Sequence, residues 1–383
     1  MWLRTCTALL MSLGIGCSTV ESLRSDVDIS LDELLAGAAF VSADQSADLI
    51  NQEEVLSLSP EMLQFLSNHV DRNAGSSLKV QQLAYAVINR GTFGLEYDDT
   101  TRTASDTFRV RRGNCLSFSN MFFAMAREVG LKVSFQEVDI PPDWTFKEET
   151  YLLNRHVNIR VNLGRHAPQV VDFNIDDFRF TFDMRVISEK RALAHFFNNK
   201  GVERLHRGDS AGAFRYFRRA IIDCDRRFSP AWTSLGTLYL REQFPAYAEA
   251  AYLHALEVDR VDLVAMSNLV ALYSTQGDHQ RAARYRNKVI SHRKQNPYYR
   301  FHLAREAFFT QDYDAAIDHL KYGIRKRPFE DQFAFLLGLV YLQKGDEKLA
   351  RRWMGRAEEL AASDALKRNY SSKMDLLLSG SAR

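Results

Sequence analysis

Two periods of apolar residues divide this chain of 383 residues near residue 190. Before that point helical and alternating stretches are mixed; after it the pattern is helical throughout and repeats itself. In the first part, Ser59-Pro60-Glu61 is a helix start, a cap residue followed by proline at the first helical position. Val80, Leu83, Ala84 and Val87 form the apolar stripe of a helix over 78–89. A loop containing Gly and Asp covers 90–102, and Thr103 with Asp106 resembles a capping box. Gly113 stops the segment that follows, and Asn114 has the short polar side chain an N-cap needs. Apolar residues then recur at 118, 122, 125, 126 and 129, and Gly130 stands where a C′ glycine would end the helix.

Strands follow. Residues 132–138 read as the first, and Pro141-Pro142 opens a loop reaching to about 153, long enough to wall a groove. Residues 154–161 alternate, with Val157, Ile159 and Val161 on one face and His156, Asn158 and Arg160 on the other. Residues 169–175 place Val171, Phe173 and Ile175 opposite to Asp172 and Asn174. Turn-forming residues around Gly164 join the two. A hairpin centred on Gly164 would make residues whose numbers sum to about 328 face each other, so His156 and Asp172 become cross-strand neighbours.

From residue 190 the apolar pattern repeats. Gly201, Gly236, Val270, Ala304 and Gly338 stand in register, with steps of 35, 34, 34 and 34 residues. Twelve residues after each lies an alanine: Ala213, Ala248, Ala282, Ala316 and Ala350. Nineteen after each lies another small or modest residue: Ala220, Ala255, Val289, Gly323 and Ala357. Two closely packed antiparallel helices require small residues at such fixed offsets. The period, and Trp232-Thr233-Ser234-Leu235-Gly236-Thr237-Leu238-Tyr239 in particular, resembles tetratricopeptide repeats. A last helix over 365–378 would cover the apolar end of the solenoid.

Composition changes this picture little: 46% apolar and 26% charged residues describe a soluble globular protein, neither a disordered chain nor a membrane bundle. Charge is divided unevenly. Residues 190–383 hold 33 Lys and Arg against 22 Asp and Glu, and residues 1–189 hold 17 against 26. The excess would draw an acidic partner or anionic envelope polymer to the repeats. Docking of the two halves on each other, or a solvated face, accounts for it more simply. No P-loop, dinucleotide glycine pattern, His-Glu-x-x-His or paired Cys-x-x-Cys occurs, and His166 and His195 have no metal-ligand spacing. No cofactor, metal or nucleic acid is therefore expected.

Chemistry concentrates on Cys115. The first turn of a helix carries partial positive charge, which favours thiolate over thiol and makes a nucleophile; the alternative is a small apolar residue starting a core helix. His156 as base, with Asp172 holding one ring nitrogen, completes the logic of a thiol enzyme. Thr103-Ala104-Ser105-Asp106-Thr107-Phe108, Arg112-Gly113-Asn114-Cys115, Arg155-His156-Val157 and Val171-Asp172-Phe173-Asn174 together resemble the transglutaminase-like superfamily of papain-type folds, over residues 75–180. The resemblance implies Cys115 as nucleophile, His156 as general base and acid, and Asp172 as orienter. Many members carry tryptophan two residues after the histidine, where this chain has Asn158, and some have lost activity. Asp176 and Asp177 are alternative orienters, and the backbone N–H of Cys115 is a natural oxyanion donor.

The N-terminus adds a location. One positive charge and a short apolar core over 1–16 read as a secretory signal, too short to span a bilayer. Leu13-Gly14-Ile15-Gly16-Cys17-Ser18 resembles a bacterial lipoprotein cleavage site, with Cys17 the lipidated residue; a plain secretion signal is the alternative. Of four cysteines, Cys6 leaves with the signal and Cys17 is acylated, while Cys115 and Cys224 stay free, Cys224 as plain core.

The expected architecture is an α+β papain/transglutaminase-like domain followed by an all-α tetratricopeptide-repeat solenoid. Its parts are a signal peptide over 1–16, a lipidated tether and lead-in over 17–57 and the transglutaminase-like domain over 58–188. Five repeats over 189–363 follow, then a capping helix and tail over 364–383. The expected function is an exported thiol enzyme acting on amide or isopeptide bonds. It would be an outer-membrane lipoprotein facing the periplasm, or secreted if Cys17 is unmodified. Its repeats would recruit a protein partner or substrate, and hydrolysis is expected over transamidation by family analogy. The alternatives are a catalytically silent envelope scaffold acting through its repeats and an adaptor acting only through its lipid anchor.

Overall fold

The helix Cys115–Glu128 lies at the centre of the first domain, every side chain from Leu116 to Ala126 being buried. The computed structural model describes residues 29–37, 49–88, 93–139, 155–173 and 182–380. Asn114 caps the helix by accepting from the N–H of Ser117, and Gly130, with φ of 80°, lets the chain turn away at its end. Against the helix packs a four-stranded antiparallel sheet in the order Gln169–Val171, Arg155–Asn162, Lys132–Asp139, Asp183–Ile187. Phe123 of the helix stacks on Phe135 of the sheet with ring centres 4.2 Å apart. Helices Pro60–His69 and Ser76–Ile88 start and end close to the sequence expectation, and Ser59 caps the first. The strand Asp183–Ile187 has no sequence signal: it is an edge strand with only Ile187 buried, so alternation is absent.

Five antiparallel helix pairs follow. They are Glu189–His206 with Ser210–Arg219, Ser229–Arg241 with Pro245–Val258, and Leu263–Thr275 with His279–Gln295, then Pro297–Phe309 with Tyr313–Lys326 and Asp331–Gln343 with Glu347–Leu360. The five alanines at constant offset are all buried, because the second helix of each pair meets the first there. The glycines of the register mark the closest approaches. A Cβ on Gly201 would lie 2.4 Å from Phe217, and one on Gly236 would lie 2.6 Å from Tyr252. A last helix, Asp364–Gly380, covers the end of the solenoid with Tyr370, whose hydroxyl donates to Asp331 at 2.8 Å.

The change of pattern near residue 190 is not a break in the core. One cluster of buried apolar side chains runs from Leu34 through the sheet and the first three repeats to Val289, and the fourth and fifth repeats form a second cluster. Within the segment expected as a tether, Leu34 and Val55 are buried and Tyr239 donates to the carbonyl of Leu34 at 2.6 Å. At the junction Glu137, on the strand Lys132–Asp139, is buried and accepts from His195 Nε2 at 2.8 Å and from Arg191 Nε at 2.6 Å. The fourth repeat also reaches the sheet. Phe182 packs edge-on against Tyr298 at 5.9 Å, and Arg327 pairs with Asp183.

Candidate active site

The segment before the nucleophile is held backbone atom by backbone atom. Arg111, with φ of 56°, makes the turn out of the helix Ala104–Val110, a role the sequence assigned to Gly113. Gly113 is needed for another reason: a Cβ there would lie 2.6 Å from Cβ of Ser117. The Ser117 hydroxyl lies 2.9 Å from Asn114 Oδ1 and accepts from the N–H of Arg102 at 2.9 Å. Asn114 Nδ2 donates to Thr101 Oγ1 at 2.7 Å. Cys115 therefore begins its helix from a cap that is fixed on both sides, and it is partly exposed.

The base comes from the neighbouring strand. His156 Nε2 lies 2.8 Å from both carboxylate oxygens of Asp172. The hairpin register differs from the sequence expectation by two residues: Ile159 pairs with Val171 and Val161 with Gln169, so the centre lies at Arg165. Continued by one step, this register sets Asn158, not His156, directly opposite Asp172, and His156 reaches the carboxylate diagonally. A shift of two keeps every side chain on its face, which is why the pair still meets. Asn158 Nδ2 donates to Asp172 Oδ2 at 2.8 Å. The sequence showed Asn158 only as a departure where tryptophan is usual; the structure makes it a donor to the carboxylate. Asn158 is fully buried and its Oδ1 has no hydrogen-bond donor, a cost the fold carries at this position.

Burial of His156 disfavours its charged ring, but hydrogen bonds to Asp172 and to the Cys115 thiol, with the attraction of both groups, raise it to about 10. His156 and Asp172 are 4% and 5% exposed, so Cys115 is the member that an outside molecule can reach. Burial pushes the Cys224 thiol up to about 12, with Asp223 adding to the effect, as suits a core residue.

The other candidates separate from this group. His195 is spent on Glu137, and His166 is exposed in the loop joining the strands. Asn174, Ile175, Asp176, Asp177, the loop over 141–153, Cys6 and Cys17 lie outside the described residues. Among the described residues no three His, Cys, Asp or Glu side chains converge as metal ligands would, and no helix is long and apolar enough to cross a membrane.

Residues 65–157 match the model of the transglutaminase-like superfamily, a span that contains Cys115 and His156 and ends before Asp172. Residues 301–365 match a tetratricopeptide-repeat model. The chain joins a transglutaminase-like domain to tetratricopeptide repeats. A TPR repeat-containing protein of Methanocaldococcus jannaschii is 26% identical over 94 residues, which are 24% of this chain and 17% of that protein. The chain thus spans under a fifth of the length of this curated relative. Among solved structures, MamA is 19% identical over 44% of this chain and 91% of its own, with a TM-score of 0.24. YrrB, described as a TPR protein with an unusual peptide-binding site, is 14% identical over 47% of this chain and 92% of its own, with a TM-score of 0.24. BtubC from P. vanneervenii is 19% identical over 45% of this chain and 80% of its own, with a TM-score of 0.25.

Proposed function

We propose that the transglutaminase-like domain is a thiol enzyme that opens amide or isopeptide bonds of proteins. Cys115 is the nucleophile, His156 the general base and acid, and Asp172 the group that orients the ring. The observation that carries this reading is the His156 ring held at 2.8 Å by the Asp172 carboxylate, with the partly exposed Cys115 at a helix start near enough to help raise the ring's affinity for a proton. Sγ attacks the carbonyl carbon, and the oxyanion that forms is met by the backbone N–H of Cys115, one of the unpaired donors of the first turn. The C–N bond breaks, the amine leaves with the proton of His156, and a thioester remains on Cys115. Water, deprotonated by His156, releases the acid; an amine in its place would give transamidation.

The repeats recruit the protein substrate. In support, Asp139 pairs with Arg155 on one side and Asp183 on the other, one residue beyond the row of His156, Val138 and Met184. The contacts of Tyr298 and Arg327 with Phe182 and Asp183 thus bring the fourth repeat to the end of the sheet that carries the base. Export and acylation of Cys17 complete the proposal, placing the enzyme on the periplasmic face of an outer membrane. Radiolabelled palmitate incorporated by the chain, and not by Cys17→Ala, would support the anchor.

The test of the enzyme is alkylation of the full chain by iodoacetamide, read at Cys115 and Cys224 by peptide mass mapping. At pH 6.5 His156→Ala should slow Cys115 at least about tenfold, while the buried Cys224 stays unreactive in both proteins and reports that the fold is intact. A Cys115 rate unchanged by His156→Ala would make the scaffold the better reading. Cys115→Ala would then leave function intact.

A further inference from the structure

We infer that the first helix of the repeats is part of the machinery that holds the nucleophile, with Glu203 as its positioning residue. The inference rests on Cys115 being that nucleophile. The loop over 98–103 precedes the thiol in space as well as in sequence and has no regular structure, so each of its backbone groups needs a separate partner. Asp98 takes the N–H of Thr100 at 3.0 Å. The N–H of Thr101, however, is taken by Glu203 Oε1 at 2.7 Å, from a helix 102 residues further on. Lys200, one turn earlier on that helix, donates to Glu203 Oε2 at 2.6 Å and to the carbonyl of Thr101 at 3.3 Å. Glu203 and Lys200 thus clamp both polar backbone groups of a residue that is 1% exposed.

What the clamp holds is the nucleophile's cap. Thr101 Oγ1 accepts from Asn114 Nδ2 at 2.7 Å, and Asn114 Oδ1 accepts from the N–H of Ser117 at 3.0 Å. The path Glu203, Thr101, Asn114 ends at the residue before Cys115, and its first bond is made to a carboxylate, the stronger kind. Two turns earlier on the same helix, His195 binds Glu137, whose neighbour Val138 is the cross-strand partner of His156. One helix of the solenoid therefore braces the supports of both the thiol and the ring, and its rigidity sets their separation. The repeats contribute to the site itself, beyond any recruitment of substrate.

The experiment compares Glu203→Ala with Glu203→Gln, and Thr101→Val with Thr101→Ser, in the full chain. Iodoacetamide rates at Cys115 are read from pH 6 to 9 beside His156→Ala, with Cys224 and circular dichroism reporting the fold. Glu203→Ala and Thr101→Val should slow Cys115 about fivefold at pH 6.5, the scale of a lost helix cap. Glu203→Gln, which keeps a carbonyl acceptor, and Thr101→Ser, which keeps the hydroxyl, should restore most of the rate. The slowing should fade toward pH 9, where an ordinary thiol ionises unaided. Wild-type rates in Glu203→Ala and Thr101→Val, with His156→Ala slow, would overturn the positioning role and leave the enzyme reading intact. Wild-type rates in His156→Ala as well would overturn both. Should Glu203→Ala unfold, exposing Cys224, the two Thr101 variants decide.

Discussion

Asn158 donates to Asp172 from the position directly across the hairpin, and His156 approaches the same carboxylate from two residues away. The asparagine fixes the carboxylate, and the carboxylate fixes the ring. Asn158→Ala removes a hydrogen bond to a charged group, worth about 1.5–3 kcal/mol. Alkylation of Cys115 at pH 6.5 should fall about tenfold, and Asn158→Asp, which sets two carboxylates against each other, should fall further. Rates equal to wild type would show that Asp172 needs no help from Asn158.

The His156 ring should stay protonated well above neutral pH. Its proton affinity is raised from 6.5 to about 10 despite burial, through Asp172 and Cys115. The stabilisation this gives is fully present below about pH 6.5, and it is lost as pH rises through about 10. The gap in unfolding free energy between wild type and His156→Gln should therefore be widest at pH 6 and narrow toward pH 10. Ring ¹⁵N shifts of His156 should report the imidazolium across the same range. A ring neutral at pH 8 would contradict the pair.

Glu137 should be worth more to stability than an ordinary surface acid. Burial opposes its ionisation, but bonds from His195, Arg185 and Arg191 hold the carboxylate well below the usual range. Glu137→Ala removes the buried carboxylate shared by His195, Arg191 and Arg185, leaving Arg191 its bond to Asp225, and should cost about 3 kcal/mol by denaturant titration. The contribution is present above about pH 4.5 and lost as pH falls below it, so wild type should weaken more on acidification than Glu137→Gln. Equal acid sensitivity of the two proteins would remove the junction's claim to this carboxylate.

Two glycines should respond oppositely to alanine. Both gain about 1 kcal/mol of helix propensity. At Gly201 the new methyl would meet the buried Phe217 ring at 2.4 Å, and overpacking of a filled core costs about 1–3 kcal/mol. Gly201→Ala should be destabilising on balance, with a lower denaturant midpoint. Nothing lies within 4 Å of a Cβ on Gly355, so Gly355→Ala should raise the midpoint. A stabilised Gly201→Ala would mean that the first pair can separate without loss.

Local chemistry alone determined much of this molecule. The cap at Asn114, the stop at Gly130 and the strand carrying His156 rest on interactions within a few residues, which a pattern records; the second strand, expected over 169–175, ends at Val171, one residue before Asp172. The repeats were legible for a related reason: one packing problem is solved five times, so small residues recur at a fixed distance. The face shared by His156 and Asp172 was also determined, since alternation survives a slip of two residues. Tertiary structure alone decided the rest. The true register placed Asn158 against Asp172, which turn geometry settles and residue order does not. The strand Asp183–Ile187 acquired its place from its neighbours, having no period of its own. The bonds from Glu203 to Thr101 and from His195 to Glu137 join residues 102 and 58 positions apart. No local pattern encodes such pairs, because the folded chain brings them together and the unfolded chain keeps them apart.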